Sequence, residues 1–239
     1  MKNGRAKQLL WLATAVALAT LVLFPVSYRI TRIAIVALSF AAWFGMIGLL
    51  WKHRALRLGL FAVTILAAGF LMLPSRGSLP QDTLRGEYLA ALKHYEGVVY
   101  YWGGENRLGI DCSGLIRRGL IDAFLRLGVR KADGSLIRRA IHLWWHDCTA
   151  SALGEEYRGL TSTVISTPNL NELDHGKILP GDLAVTQSGV HIMAYLGGQR
   201  WIEADPDAGK VMTITAPSSN IWFQMPMHIV RWTAMQEAR

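Results

Sequence analysis

Three apolar stretches fill most of the first 73 residues, about Leu9 to Val26, Ile33 to Trp51 and Leu56 to Leu73. Each is long enough to cross a hydrocarbon core of about 30 Å, at about 20 residues per helical span. The first two hold no charged side chain and the third only Arg57 near its start. The chain is 51% hydrophobic with a mean hydropathy of +0.24, high for a soluble protein, and the excess lies before Pro80. The first stretch follows Lys2, Arg5 and Lys7 as a signal peptide would, but no small-residue cleavage site stands near Phe24 to Tyr28. Three such runs in succession, joined by short basic connectors, argue against a buried hairpin of a soluble protein. The spacing predicts three transmembrane helices in a membrane domain over residues 1–74, a Pro-, Ser- and Gly-rich linker at 75–81, and a second domain at 82–239.

The basic residues set an expected orientation. Lys2, Arg5 and Lys7 precede the first span and Lys52, Arg54 and Arg57 follow the second, whereas the first connector has only Arg29 and Arg32. An odd number of spans then puts the N-terminus and second connector in the cytoplasm and the second domain outside. The net charge of +8 might suggest nucleic acid, but several of these charges flank membrane segments and no recognised nucleic-acid motif accompanies them. With 2 Cys a disulfide scaffold is excluded, so the outer domain is held by its core.

That domain carries the chemistry. In YYWGGENRLGIDCSGLI, Tyr100 to Ile116, Cys112 stands where a Gly-rich loop meets a helix, whose first N–H groups favour a thiolate. Ile116, Leu120, Phe124 and Leu127 recur at helical spacing, Arg117, Arg118, Asp122 and Arg126 fall elsewhere, and Gly128 is a natural stop. Gly103, Gly104 and Gly109 leave room for backbone to approach a substrate, and Asp111 can fix the turn. An isolated Cys is more often buried core, so the thiol needs a base to be read as a nucleophile. LPGDLAVTQSGVHIMAYLGGQRWIEADP, Leu179 to Pro206, supplies one. It reads as strands over Leu183–Thr186, Val190–Leu196 and Arg200–Ala204, with His191 opening the second and Glu203 able to lie beside it across a hairpin. Asp205, on the same side of its strand, competes with Glu203.

Asp82 is positioned to cap a helix running to about Glu96, and Val211–Ala216 and Met227–Trp232 read as further strands. The domain is therefore expected to be α+β, with helices packed on an antiparallel sheet.

Tyr-x-x-Gly-Gly, then Gly-x-Asp-Cys-Ser-Gly-Leu, then Pro-Gly-Asp-Leu, then a His opening a strand, resembles the NlpC-type cell-wall cysteine peptidases, whose fold is papain-like. The resemblance runs from about Gln81 to the C-terminus. It implies Cys112 as nucleophile, His191 as general base, Tyr100 beside the oxyanion with the Cys112 backbone N–H, and Glu203 as the orienting third residue. It also places Asp111, Ser113 and Gly104 against substrate. Glu203 departs from the His, Asn or Gln more usual there, but its carboxylate would stabilise the charged imidazole more than an amide would. No cofactor and no metal are implied.

The chain between Cys112 and His191 is longer than the compact family domain needs, and the excess is Val129 to Lys177. Ser135 to Leu153 has helical periodicity and carries Trp144 and Trp145, while Gly154 to Lys177 reads as loop. This insertion is expected to cover or wall the substrate groove. His142 and His146 have i, i+4 spacing, but with Cys148 they lack a clear fourth zinc ligand. Cys148 is expected to be a buried or free thiol.

The implied protein is a multi-pass peptidoglycan endopeptidase of the bacterial inner membrane, its catalytic domain facing the periplasm or cell exterior. Its partners would be peptidoglycan stem peptides, the lipid bilayer and any membrane complex it joins. Two alternatives stand beside it: a thiol acyltransferase or amidase acting on a lipid or amine, and an inactive wall-binding scaffold.

Overall fold

Residues 2–75, 77 and 79–236 are described in a computed structural model. Arg76 and Ser78 of the expected linker, Glu237 to Arg239 at the domain's end, Met1 and the side chains of Lys2 and Asn3 lie outside the described residues. The three apolar stretches form helices α1 (Lys2–Leu23), α2 (Arg29–Leu49) and α3 (Arg54–Met72). Each has the length and apolarity to cross a membrane. Hydroxyls such as Thr14, Thr20 and Ser39 donate back to the carbonyl one turn earlier in their own helix, whereas two indoles bond between helices. Trp11 Nε1 donates to Ala42 O at 2.8 Å and Trp43 Nε1 to Thr64 Oγ1 at 3.1 Å, the kind of contact that satisfies donors in lipid. Gly45 makes the first possible, since a Cβ there would stand 2.7 Å from the Trp11 ring.

The second domain opens with α4 (Gln81–Lys93), which packs on α5 (Cys112–Arg130). Pro80, not Asp82, is the N-cap; Asp82 lies inside the first turn and pairs with Arg85 at 2.6 Å. Between the two helices, β1 (Glu105–Asn106) and β2 (Gly109–Ile110) form a short antiparallel hairpin. Gly128 does not stop α5. The helix runs on to Arg130, and Gly128 instead lets the next helix approach, since a Cβ there would meet Ile137 Cδ1 at 2.6 Å.

The inserted segment is more structured than its composition suggests. It comprises α6 (Gly134–Trp145), a break, α7 (Ala150–Gly154) and strand β3 (Thr161–Thr167). The stretch expected to be loop therefore contributes an edge strand, paired with β8 (Met227–Trp232). Polar alternation in TSTVIST hid it, because an edge strand needs to bury only part of its surface.

With β4 (Leu183–Thr186), β5 (Ile192–Gly197), β6 (Arg200–Asp205) and β7 (Lys210–Thr215), the sheet has six strands in the order β3-β8-β4-β5-β6-β7, every pair antiparallel. Both faces are covered. Leu183, Val185, Ile192, Ala194 and Ile202 join the helices in one core, while Ala184, Met193, Tyr195 and Trp201 pack with Phe223 and Ile229 in another. Burial on both faces explains why β4 and β5 read as nearly continuous apolar runs. Asp182 of the Pro-Gly-Asp-Leu turn is structural, accepting two hydrogen bonds from Arg231 at 2.6 and 2.7 Å.

The three apolar helices and the domain are joined at two places. Arg138 of α6 donates to the carbonyls of Leu71 and Leu73, just where α3 leaves acceptors unpaired. The α1–α2 connector is laid along the β1–β2 hairpin. Ser27 N–H donates to Gly103 O at 3.1 Å, Glu105 N–H donates to Pro25 O at 2.9 Å, and Val26 bridges Gly104 antiparallel.

Candidate active site

Cys112 is the first residue of α5, and the preceding Asp111 is its N-cap. Asp111 Oδ1 accepts from Gly114 N–H at 2.6 Å and from Ser113 Oγ at 3.0 Å, and Oδ2 accepts from Gly103 N–H at 2.9 Å. One carboxylate thus ties the Gly-rich loop to the helix start, and Asp111 and Ser113, while building this turn, both line the adjoining cavity. Gly114 is required because a Cβ would collide with Gly104 O. Gly104 is buried in that backbone contact, and its neighbour Gly103 is the loop glycine that reaches the adjoining cavity.

That cavity, about 610 Å³, brings together Tyr100, Cys112 and His191. His191 precedes β5 and is buried, with its N–H on Thr186 Oγ1 at 3.0 Å. Its Nε2 lies 2.5 Å from Glu203 Oε2. Glu203 is wholly buried on β6 and is the carboxylate on the imidazole. Asp205 instead accepts from Asp207 and Ala208 N–H at 2.7 and 3.1 Å and from Asn220 Nδ2 at 2.9 Å. Asn220 also reaches Glu203 Oε1 at 3.4 Å and so links the two carboxylates.

Burial pushes the Cys112 thiol up to about 12 and the charge of Asp111 adds to it, while backbone N–H groups of Ile192 and Ser113 pull the other way. The helix start therefore does not by itself ionise the resting thiol; desolvation outweighs it. Burial, with Cys112 and Asp111 nearby, also holds the Tyr100 phenol protonated well above its usual range, keeping it a hydrogen-bond donor. Glu203 is pushed up by burial, against the pull of His191.

Several residues of the site carry no signal in the sequence. Trp222 stacks on the His191 ring, centroids 4.2 Å apart and planes 17° from parallel, which fixes the ring's plane as Glu203 fixes its edge. Arg117, grouped by spacing with the polar face of its helix, is buried. It pairs with Glu105 at 3.0 Å and Asp147 at 2.9 Å. Arg32 completes this cluster from α2. It lies 2.8 Å from the same Glu105 and 3.5 Å from Asp147, and donates to Ser27 Oγ and the Trp144 carbonyl. Two arginines and two carboxylates cancel, which is how such a cluster tolerates burial. Residues 147–150 of the inserted segment line the cavity too, Cys148 among them as a buried free thiol. The His142 and His146 rings are neighbours at 4.2 Å, and no group of three metal-binding side chains forms among the described residues.

The NlpC/P60 family model matches residues 97–231, more than half of the sequence and all of the site just described except Ser27 and Arg32. The chain belongs to the NlpC/P60 family. Among solved structures it is similar to NlpC1 from Trichomonas vaginalis, at 18% identity and a TM-score of 0.41, covering 66% of this chain and 46% of that one. It is similar also to the P60 domain of a Mycobacterium avium subspecies paratuberculosis antigen, at 19% identity and 0.41, covering 66% and 100%. A third is the Mycobacterium tuberculosis peptidoglycan hydrolase RipB, at 21% identity and 0.40, covering 66% and 67%. No curated protein matches the chain. The NlpC/P60 region thus comes with three long apolar helices ahead of it, one connector of which touches its cavity.

Proposed function

We propose that this NlpC/P60 protein is a membrane-anchored cysteine peptidase that cleaves amide bonds in peptidoglycan stem peptides. The observation that carries the reading is the His191–Glu203 pair at 2.5 Å, opening on the same cavity as Cys112 at the start of α5. Nε2 is held by Glu203, so Nδ1 is the nitrogen left to take the thiol proton. Sγ then attacks the amide carbonyl, and the tetrahedral oxyanion is met by the Tyr100 hydroxyl and the Cys112 backbone N–H. His191 returns its proton to the leaving nitrogen as the C–N bond breaks. A water, deprotonated by His191, opens the thioester and frees the acid.

The outward orientation is part of the same proposal. If α1–α3 span the bilayer, the α1–α2 connector and the domain after α3 must emerge on one side, and the backbone bonds between Ser27 and Gly103 and between Pro25 and Glu105 agree with that parity. The basic second connector and N-terminus support placing them in the cytoplasm and the domain at the periplasm or cell exterior.

The test incubates the full chain in detergent or vesicles with purified peptidoglycan and reads released fragments by mass spectrometry. Stem-peptide cuts that vanish in Cys112→Ala are expected. A folded protein whose Cys112 alkylates yet releases no fragment, or that forms a new amide or ester in place of an acid, overturns the peptidase reading.

A further inference from the structure

One wall of the Cys112 cavity lies outside the region matched by the family. Ser27 and Tyr28, from the α1–α2 connector, line it. Tyr28 rests on the Gly103 backbone so closely that a Cβ at Gly103 would stand 2.9 Å from the Tyr28 hydroxyl. Gly103 N–H is in turn held by Asp111, the residue before Cys112.

Tyr28 is also the residue that opens α2. It precedes Ile33, where the charge-free apolar run begins, by little more than one helical turn, about 7 Å along the axis. The polar layer of a bilayer is about that thick on each side of the hydrocarbon core, and Tyr is favoured there. The cavity that holds the thiol is thereby set at headgroup height. Two large apolar side chains at its mouth, Trp102 and Val190, are 72% and 59% exposed.

A second, smaller cavity of about 290 Å³ shares Asp147 with the first and is lined by Arg29, Arg158, His146, Trp145 and Tyr157. Asp147 is already paired with Arg117. Arg29, next to Tyr28 in sequence, and Arg158 therefore make this cavity cationic, and it lies at the same depth as the start of α2. An aromatic-walled amide site beside an arginine-lined hollow, both at the membrane surface, fits one kind of ligand: a peptide still attached to a phosphate-bearing lipid anchor.

We propose that the α1–α2 connector makes Tyr28 a specificity-determining wall of the Cys112 cavity, and that the site takes an amide-bearing peptide tethered through phosphate to the bilayer, with Arg29 and Arg158 on the phosphate. The proposal refines the substrate of the peptidase described above and rests on that reading for its chemistry, but not for its binding. Cross-linked wall polymer is the competing occupant.

The experiment uses the full chain in phosphatidylcholine vesicles and follows alkylation of Cys112 by iodoacetamide, resolved by peptide mass spectrometry. A stem-type peptide is presented free, joined by a phosphodiester directly to a diacylglycerol anchor, or joined to that anchor through a long poly(ethylene glycol) spacer. The two anchored forms share the same surface concentration, so a difference between them reports height and phosphate contact, not tethering. The directly anchored peptide is expected to protect Cys112 at about a tenfold lower density than the spacer-borne one, and Tyr28→Ala or Arg158→Gln to remove most of that advantage. Arg158 is exposed, so its variant tests binding even if the Tyr28 variant is destabilised. Equal or better protection by the spacer-borne or free peptide overturns the proposal in favour of the polymer, and no protection by any form overturns it outright. Protection without cleavage upholds the proposal and counts against the peptidase instead.

Discussion

The connector between α1 and α2 and the connector between α2 and α3 are both short and both basic, yet only the first is built into the domain. Arg32, in the first turn of α2, is wholly buried among Glu105, Trp144 and Asp147. Arg57, in the first turn of α3, is only partly buried and pairs with no carboxylate among the described residues, stacking its guanidinium on Trp51 at 4.5 Å and donating to the Trp51 carbonyl at 3.0 Å in an exposed contact. Residue type is the same and the local helix position is the same. What differs is whether a carboxylate of the domain waits beside the helix end, and that is set by the β1–β2 hairpin, residues 105–110. An arginine at the start of a long apolar helix can thus be a surface charge or one member of a buried cluster, and the two are told apart only by tertiary contact.

The largest effect follows from cutting the connection. A domain beginning at Pro80 loses Arg32 and the Pro25–Tyr28 segment, leaving Glu105, Arg117 and Asp147 with one uncompensated carboxylate. Removing one member of a buried pair costs about 3–5 kcal/mol, so local opening of the 103–110 region is expected to rise by roughly a hundredfold or more. Hydrogen exchange of the Gly104 and Asp111 amides measures it. Exchange unchanged from the full chain would mean the three apolar helices are merely tethered to the domain.

Arg32→Met isolates the ionic part of the same connection. It keeps the Ser27–Gly103 bond and is expected to lower thermal stability of the full chain in detergent by about 3 kcal/mol, with Glu105→Gln in the same chain restoring part of the loss. A shift of only a few tenths, as a surface arginine would give, breaks the contrast with Arg57.

The thiol offers a smaller, pH-dependent effect. Burial raises Cys112 from its ordinary value of 9 to about 12. Because the folded state holds the proton more tightly, this stabilises the fold below about pH 9 and the contribution fades as pH rises through about 12. Alkylation of Cys112 in the full chain is therefore expected to climb across that interval. Without the Ser27–Tyr28 wall the thiol is better solvated, so the excised domain should reach its plateau at lower pH. A full-chain plateau near neutrality would mean that a resting thiolate already exists.

How much of this was legible beforehand follows the range of the interactions. The helical spans, α5, the β4–β5–β6 run and the Cys112, His191 and Glu203 candidates are carried by local patterns: apolar length, helical spacing, glycine turns, and a hairpin that brings positions 191 and 203 together. β3 escapes the sequence pattern because one exposed edge leaves a polar alternation that reads as loop. Gly128 does not show its role in sequence, because a helix-stopping residue and a close-packing residue look alike until the neighbour, Ile137, is known. Trp222, Asn220, Tyr28 and the Arg32–Glu105–Arg117–Asp147 cluster join segments far apart in the chain, and no spacing rule connects them. Even the choice between Glu203 and Asp205, which face the same side of β6, turned on partners elsewhere: Asp205 is occupied by its own turn and by Asn220.

The smallest expected effect is at Arg57. Its contact with Trp51 is exposed, the setting in which a cation–π pair is worth about 0.5–1 kcal/mol and surface substitutions seldom matter more. Arg57→Met should change stability by no more than about 1 kcal/mol and leave Cys112 alkylation unchanged, while Arg57→Glu should act on orientation, by weakening the positive charge of the second connector. Accessibility of a cysteine introduced at Ser75 to a membrane-impermeant thiol reagent, in intact cells, separates the two. A variant that melts like Arg32→Met would show that both connectors are structural and that the distinction drawn between them is wrong; a variant that melts normally but labels from the other side would locate Arg57 among the charges that orient the chain.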